Sequence, residues 1–563
     1  MKDKIKQIFP VAEWLPAYSM KYLRWDLVAG ITLAFFVIPE SMAYATLAGL
    51  PPQTGIYCYV FAGLLYFIFG TSRQLAIGPT SAISLVVGTS IATLSGGDPG
   101  QALILASGVA LIMAALFFIA WLVRLSALVS FISDTILVGF KAGAALVIAS
   151  TQLPKLFGFH GQGGDFFERI GYLVTHLGET RPEVLVFGLI AFCLLITGDR
   201  LMPGKPVALV VVILSILAVS FTSLQRAGLP TVGAIPGGIP TLHLPLLDYD
   251  TGRNLVTLAM ACFLLSYVES ISAARALSGK NGYEVNPRQE LLALGAANLA
   301  AAVGRGYPVA GGLSQSTVNS QAGAKTPLTL IITSIVLMVC LMFLTGLIRN
   351  LPEVILAAVV LHAIIGLIKV KEMKHLYRVS RYEFRIMVIT ILTVMVFGIL
   401  EGVLFAVLLS IVTLLRKSSA PHIAILGRIN GTIRFSDILR HPENEPVEGL
   451  LILRVESSII YFNVSYIHEH IRQILNDQVK PVNMLIMDLS SANYVDMAGT
   501  RFLLELEDEL QKKGIDFTIV EALGSVRDIL RIEGMEKEIG HISRKVDLED
   551  AVEAYLRKDT ENC

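Results

Sequence analysis

Apolar stretches of about twenty residues, separated by short polar connections, recur between about residues 27 and 417; each could cross a hydrocarbon core of about 30 Å. We read fourteen of them. The clearest are 102–122, 127–150, 183–199, 205–222, 254–277, 327–347, 353–370 and 383–416, the last holding two spans around Gly398 and Gly402. Segments 79–95 and 312–323 are short, as half-helices are. From about Ala420 the pattern changes. Ile423–Leu426, Leu450–Val455, Met484–Leu489 and Phe517–Val520 read as buried strands, and Ser465–Gln478, Thr500–Lys513 and Val526–Ile532 carry helical apolar spacing. Strands alternating with helices predict a small α/β domain with a mostly parallel sheet. The expected architecture is an α-helical polytopic membrane domain at 1–418 and a cytoplasmic α/β domain at 419–563.

The apolar pattern is interrupted in telling places. The first segment holds Pro39 and Glu40 inside a membrane-length stretch. The loop Gly49-Leu50-Pro51-Pro52 follows, and the third segment restarts after Gly78-Pro79. Irregular backbone at membrane depth is tolerated only where it is buried in protein or lines a cavity, and such breaks mark substrate sites in secondary transporters. A weak repeat points the same way. Glu269 in the eighth segment and the Gly311-Gly312-Leu313-Ser314 start of the tenth lie about 230 residues beyond Glu40 and Gly78-Pro79-Thr80-Ser81. The expectation is two inverted halves of seven spans.

Composition narrows the class. The chain has 563 residues, 54% of them hydrophobic, with no net formal charge and a mean hydropathy of +0.65. That balance gives no reason to expect a nucleic-acid partner. Basic residues collect at the N-terminus, at Arg73, Arg124, Arg200, Lys205, Arg275, Lys280 and Arg288, through 369–385, and at Arg416-Lys417. The positive-inside rule then places both termini in the cytoplasm of an inner-membrane protein. No leader is read before the first segment, which is expected to act as its own insertion signal. Of the five cysteines, Cys58, Cys193, Cys262 and Cys340 lie in apolar stretches, and Cys563 is terminal; their spacing suggests neither zinc nor disulfides. His468 and His470 are two positions apart and so diverge on a helix; both are read as solvated surface. No P-loop, metal-protease motif or CxxC is present, so no enzyme activity, metal or cofactor is expected.

Three stretches together resemble the SulP family of anion transporters, known in animals as the sulfate-permease solute carriers. Pro39–Pro79, with its Leu-Pro-Pro loop and Phe-Gly-Thr-Ser-Arg run, is similar to the family's first signature. Asn281-Gly282-Tyr283-Glu284-Val285-Asn286-Pro287-Arg288-Gln289-Glu290-Leu291 is similar to its turn between helices eight and nine, and Gly306–Asn319 to its helix-ten signature. Met487–Thr500 resembles the marker of a STAS domain. Ala498 stands where the signalling branch of that domain carries a phosphorylatable Ser, so that switch is not expected; Thr500 and Ser490 remain as hydroxyls.

The resemblance implies that helices three and ten point their N-termini at one another near the bilayer midplane. Such ends bind small anions through unpaired N–H groups and the helix dipole. The candidate substrate residues are Glu40, Tyr44, Thr80, Ser81, Gly311, Gly312, Leu313, Ser314 and Gln315. Gln315 stands where many relatives have Arg, and Glu40 where many have Gln, so this site carries less positive charge. Intramembrane carboxylates are functional suspects by default; Glu269 and Glu40 are the candidate proton carriers. Lys141, read as snorkelling or pairing with Asp134, is given no transport role. Expected partners are a small inorganic or organic anion, a proton or sodium ion, the lipid bilayer, a second copy in a homodimer, and a cytoplasmic protein docked on the STAS-like domain. Sulfate, bicarbonate and dicarboxylates all fit, as do exchange and sodium-coupled symport. A nucleobase transporter of the same architecture would not explain the STAS-like domain. A membrane-tethered STAS scaffold would not need two buried carboxylates.

Overall fold

A computed structural model describes residues 8–125, 134–159, 161, 165–202, 206–221, 229–233, 237–238, 240–540, 542 and 546–561. The chain divides into two compact units, 1–410 and 411–563.

The first unit is built from helices α1 (Met20–Leu47), α2 (Gln53–Phe69), α3 (Ser81–Leu94), α4 (Pro99–Leu122), α5 (Asp134–Phe157), α6 (Pro182–Leu201), α7 (Val207–Phe221), α8 (Tyr249–Asn281), α9 (Pro287–Val303), α10 (Leu313–Gln321), α11 (Leu328–Phe343), α12 (Glu353–Ile365), α13 (Arg381–Phe397) and α14 (Ile399–Ser419), the last running into the second unit. Among the described residues, six helices are long and apolar enough to cross a membrane, including Met20–Leu47, Pro99–Leu122 and Tyr249–Asn281; Gln53–Phe69, Ser81–Leu94, Val207–Phe221 and Leu328–Phe343 are shorter apolar helices. Local chemistry sets their ends. Asp98 caps α4 and Asn286 caps α9, each followed by Pro at the first helical position, where its missing N–H costs nothing. Gly282 ends α8 at φ +71°, a backbone region that glycine enters without strain. α1 runs unbroken through Pro39; the irregular backbone lies before α3 and α10 instead.

The helices sort by packing. α9 lies on α4 and α2, α11 on α1 and α2, and α10 on α1 and α8. A second group joins α13 to α5, and α12 to α5 and α6. In α5, Gly139 and Gly143 face α13: a Cβ at Gly139 would fall 2.6 Å from Met387 O. Leu189, Ile190 and Leu194 on α6, and Ile213, Leu214 and Leu217 on α7, remain exposed, an outward apolar surface of the kind a bilayer covers.

One short pairing joins the repeat-related segments. β1 (Ile77–Gly78) and β2 (Ala310–Gly311) form a two-residue antiparallel ladder, with Ile77 opposite Gly311 and Gly78 opposite Ala310. It leads directly into α3 on one side and α10 on the other.

The second unit holds β3 (Ile423–Arg428), β4 (Phe435–Asp437), β5 (Leu450–Val455), β6 (Met484–Asp488) and β7 (Asp516–Val520) in the order β4-β3-β5-β6-β7. The β5-β6-β7 stretch is parallel, while β3 pairs antiparallel with both neighbours. One core gathers Leu453 and Met487 with Ile467 and Ile471 of α15 (Val464–Asn476) and Phe502 and Leu503 of α16 (Met497–Lys512). Another gathers Ile452 and Ile486 with Val552 and Tyr555 of the helix Leu548–Glu561. Asp488 is buried against Arg454 at 2.6 Å. His468 departs from the solvated reading: it is largely buried, 3.1 Å from Glu509 of α16 and packed on Phe502. Thr500 is buried, with its hydroxyl donating to Asp496 O.

Candidate anion site

Side chains from three helices hold the β1–β2 ladder. On α8, Ser266 Oγ donates to Val309 O at 2.9 Å, and Ser270 Oγ accepts from Gly311 N–H at 2.7 Å. On α9, Asn298 accepts from Val309 N–H at 2.9 Å and donates to Val309 O at 3.2 Å. From α10, Ser316 Oγ accepts from Ala76 N–H at 2.9 Å, and Asn319 donates to Gln74 O at 3.0 Å. All these groups are buried, so each bond replaces one that water cannot supply. The N-terminal ends of α3 and α10 are thereby held beside one another. Neither Thr80 nor Gly312, the two N-cap residues, gives its own helix a side-chain cap. First-turn N–H groups without a cap are ready anion donors.

The carboxylates converge on the same place. Tyr44 OH donates to Glu40 Oε1 at 2.8 Å and also interacts with Ser81. Gln315 Nε2 donates to Pro79 O at 3.1 Å, so the tenth helix is tied to the entrance of the third. The Gln315 amide also lies beside the Glu40 carboxyl. Even so, Glu40 Oε2, Gln315 Oε1 and Tyr59 OH are buried without a hydrogen-bond partner. Thr80 Oγ1 donates to Glu269 Oε2 at 3.0 Å, and Lys141 of α5 acts electrostatically on Glu269. Glu40 and Glu269 are 4% and 8% exposed, and neither has a contact ion pair among the described residues.

The structure therefore joins Glu40, Tyr44, Thr80, Ser81, Gln315 and Glu269 around the two helix ends. Gly311 sits in β2. A Cβ at Gly312 would fall 2.2 Å from Gln315 Oε1. Leu313 and Ser314 stand exposed at the start of α10, apart from this hydrogen-bonded network. Sequence reasoning missed Ser266 and Ser270, although their spacing to Glu269 along one helix face was the available signal. It also missed Tyr59, whose ring occupies the space that a side chain at Gly78 would need, and Lys141. Asp134, offered as the Lys141 partner, has a side chain outside the described residues.

Two of the signature stretches are hydrogen-bonded to one another. Glu290, fully buried, accepts from Tyr66 OH at 2.7 Å, Thr71 N–H at 2.8 Å, Thr71 Oγ1 at 2.5 Å and Ser72 N–H at 3.2 Å. Tyr283 OH donates to Gln74 Oε1 at 2.7 Å and accepts from Arg73 N–H at 3.0 Å. The loop that precedes β1 is thus clamped on both sides.

Comparison with known proteins supplies the family. Residues 23–390 match the model of the sulfate permease family, and residues 441–549 that of the STAS domain. A probable sulfate transporter of Mycobacterium tuberculosis is 31% identical over 553 residues, covering 97% of this chain and 99% of that protein. Sulfate transporter 4.1, chloroplastic, of Arabidopsis thaliana is 31% identical over 576 residues, covering 99% of this chain and 83% of the relative. Among solved structures, murine Solute Carrier 26 family member A9 in the inward-facing state superposes with a TM-score of 0.89 at 22% identity, over 98% of this chain and 94% of that one. The transmembrane domain of the cyanobacterial bicarbonate transporter BicA reaches 0.60 at 22% identity, over 70% of this chain and 98% of that one. Those two likenesses concern the fold alone. The family match and the near full-length relatives carry the assignment: the chain belongs to the sulfate permease family of multi-pass membrane anion transporters.

Proposed function

We propose that this protein carries a small anion of the sulfate, bicarbonate or dicarboxylate class by alternating access, driven by co-transported protons. The anion would sit between the starts of α3 and α10, contacted by Ser81, Gly311, Gly312, Leu313, Ser314 and Gln315, with Glu40, Tyr44 and Thr80 lining the site. The observation that carries the reading is the pair of buried carboxylates, Glu40 and Glu269, beside those helix ends without a contact ion pair among the described residues. Two ionised carboxylates there would repel an anion in a low-dielectric site and would be costly to bury. A proton removes both penalties. On Glu40 it would also supply a donor where Glu40 Oε2 and Gln315 Oε1 lack one. On Glu269 it would leave the Lys141 charge unbalanced, and that charge would then favour the anion. Glu269 is accordingly the proposed principal carrier and Glu40 the second.

The test is uptake into proteoliposomes under an imposed pH gradient without sodium, in wild type and Glu269→Gln. Wild type should concentrate the anion at the expense of the gradient, and Glu269→Gln should equilibrate it without concentrating it. Wild-type uptake that ignores the proton gradient refutes the coupling; uptake that then follows a sodium gradient assigns sodium instead. The same reading places the protein in the cytoplasmic membrane as a homodimer, with both termini and the STAS domain in the cytoplasm. That domain would govern assembly, rate or partner binding rather than the choice of anion.

A further inference from the structure

The end of the first unit opposite the basic loops contains a cavity of about 220 Å³, lined by Thr46, Gln152, Lys155, Val232 and Glu353 among others. A single water needs about 10–15 Å³ on this kind of measure, so a small anion with part of its hydration shell fits. A larger cavity, about 830 Å³, shares Thr46, Gln152 and Lys155, runs between α3 and α5 past Leu85, Gly88 and Val147, and reaches Arg169. Asp165 and Glu401 are the carboxylates along it.

Three observations concern what this place would hold. Its shared polar lining offers N–H groups from two side chains: the Lys155 ammonium and the Gln152 amide, which gives one N–H to Thr151 Oγ1 at 3.0 Å and keeps the other; the Thr46 hydroxyl already donates to Ala43 O at 2.7 Å. Lys155 makes no contact ion pair among the described residues. Glu353 acts on it only from a distance and lies in the first turn of α12, where the helix dipole already offsets a carboxylate. Finally, the two lysines share one helix face. Lys141 and Lys155 are fourteen positions apart on α5, close to four full turns and about 21 Å. Gly139 and Gly143 point at α13, so Lys141 points away from α13, consistent with its action on Glu269. The same helix thus presents one cation to the solvent-side cavity and another beside the paired helix ends.

We propose that the cavity at Lys155 is a second, outer anion site, distinct from the paired helix ends, which receives a small oxyanion before it passes along α5 to them. Lys155 supplies the charge, Gln152 supplies a neutral donor, and Glu353 weakens the site enough for release.

The test is acetylation of Lys155 in the full chain in nanodiscs, read by peptide mass mapping, with sulfate, bicarbonate or chloride as the added anion. At least one should slow the labelling of Lys155 about fivefold when present at about four times its Kd, while exposed Lys280 labels at an unchanged rate. Glu353→Gln should lower the concentration needed for protection. Gln315→Ala should leave protection at Lys155 unchanged, because that variant touches only the central site. Four outcomes overturn the proposal. One is protection by none of the three anions, and another is a Lys155 that is never labelled, which would mean a cavity closed to solution. A Glu353→Gln variant that needs more anion would make Lys155 and Glu353 a structural pair. Protection that vanishes in Gln315→Ala would be transmitted from the central site.

Discussion

Gly312→Ala tests how the tenth helix takes part in binding. Gly312 has φ −79° and ψ 134°, an extended conformation open to any residue, so alanine brings no backbone strain. The added methyl would fall 2.2 Å from Gln315 Oε1 and 2.8 Å from Gln315 Cδ. The obstacle is the end of a flexible side chain, and the expected response is that the amide swings away. It then loses the 3.1 Å bond to Pro79 O and its place beside Glu40. A neutral hydrogen bond is worth about 0.5–1.5 kcal/mol net, and a buried carbonyl left unpaired costs about 1–3 kcal/mol. Anion affinity should fall about tenfold, the equivalent of about 1.4 kcal/mol. Isothermal titration in nanodiscs reads this as Kd, and a double-mutant cycle with Gln315→Ala identifies the cause. If the methyl acts through Gln315, Gly312→Ala should do almost nothing once Gln315 is Ala, with a coupling energy of about 1.4 kcal/mol, the whole of the single-variant effect. Equal loss in both backgrounds would refute this reasoning and mean that the methyl meets the anion or its backbone donors directly. Unchanged affinity in the single variant would place the anion elsewhere.

Other outcomes follow from the same geometry. Gly78→Ala should be worse for folding than Gly312→Ala, because its methyl would fall 2.1 Å from the rigid Tyr59 ring; overpacking of this kind costs about 1–3 kcal/mol, and a lowered Tm in detergent is the readout. Ser270→Ala strips the Gly311 N–H of its 2.7 Å acceptor and should cost about 1–3 kcal/mol, seen as faster hydrogen exchange at β2. In the STAS domain, burial alone would raise the Asp437 carboxyl, but the His422 ring at 2.9 Å and the Leu439 N–H at 2.8 Å hold it below its ordinary value. A depressed folded pKa contributes stability above the unfolded value of about 3.9 that is lost as pH falls through the folded one. Asp437→Asn should therefore raise hydrogen exchange in β3 and β4 at neutral pH and approach wild type as acid protonates the carboxyl; a difference that persists once it is protonated would refute the assignment.

The apolar segments, the STAS strands and the two glycine-led half-helices were legible because each depends on local features: run length, period and the absence of side-chain bulk. α3 begins at Ser81 and α10 at Leu313, as Gly-Pro and Gly-Gly announce. The acidic positions were legible too, since a carboxylate in an apolar stretch stands out whatever surrounds it. Partner identity was not. Pro39 suggested a break in the first helix, yet packing from α2, α10 and α11 holds α1 continuous across it. Local spacing left His468 on a polar face, and only the docking of α15 on α16 brought Glu509 to it. Lys141 was visible as a charge, but the group it acts on lies on α8, more than a hundred positions along the chain. The Gln315–Pro79 bond and the β1–β2 ladder likewise join segments that no local window contains. The sequence by itself determined which segments are apolar and which short helices restart after a glycine, because run length and backbone freedom follow from each residue and its near neighbours. The tertiary structure decided which buried polar group meets which, because buried groups must be paired and their partners came from helices brought together only by packing.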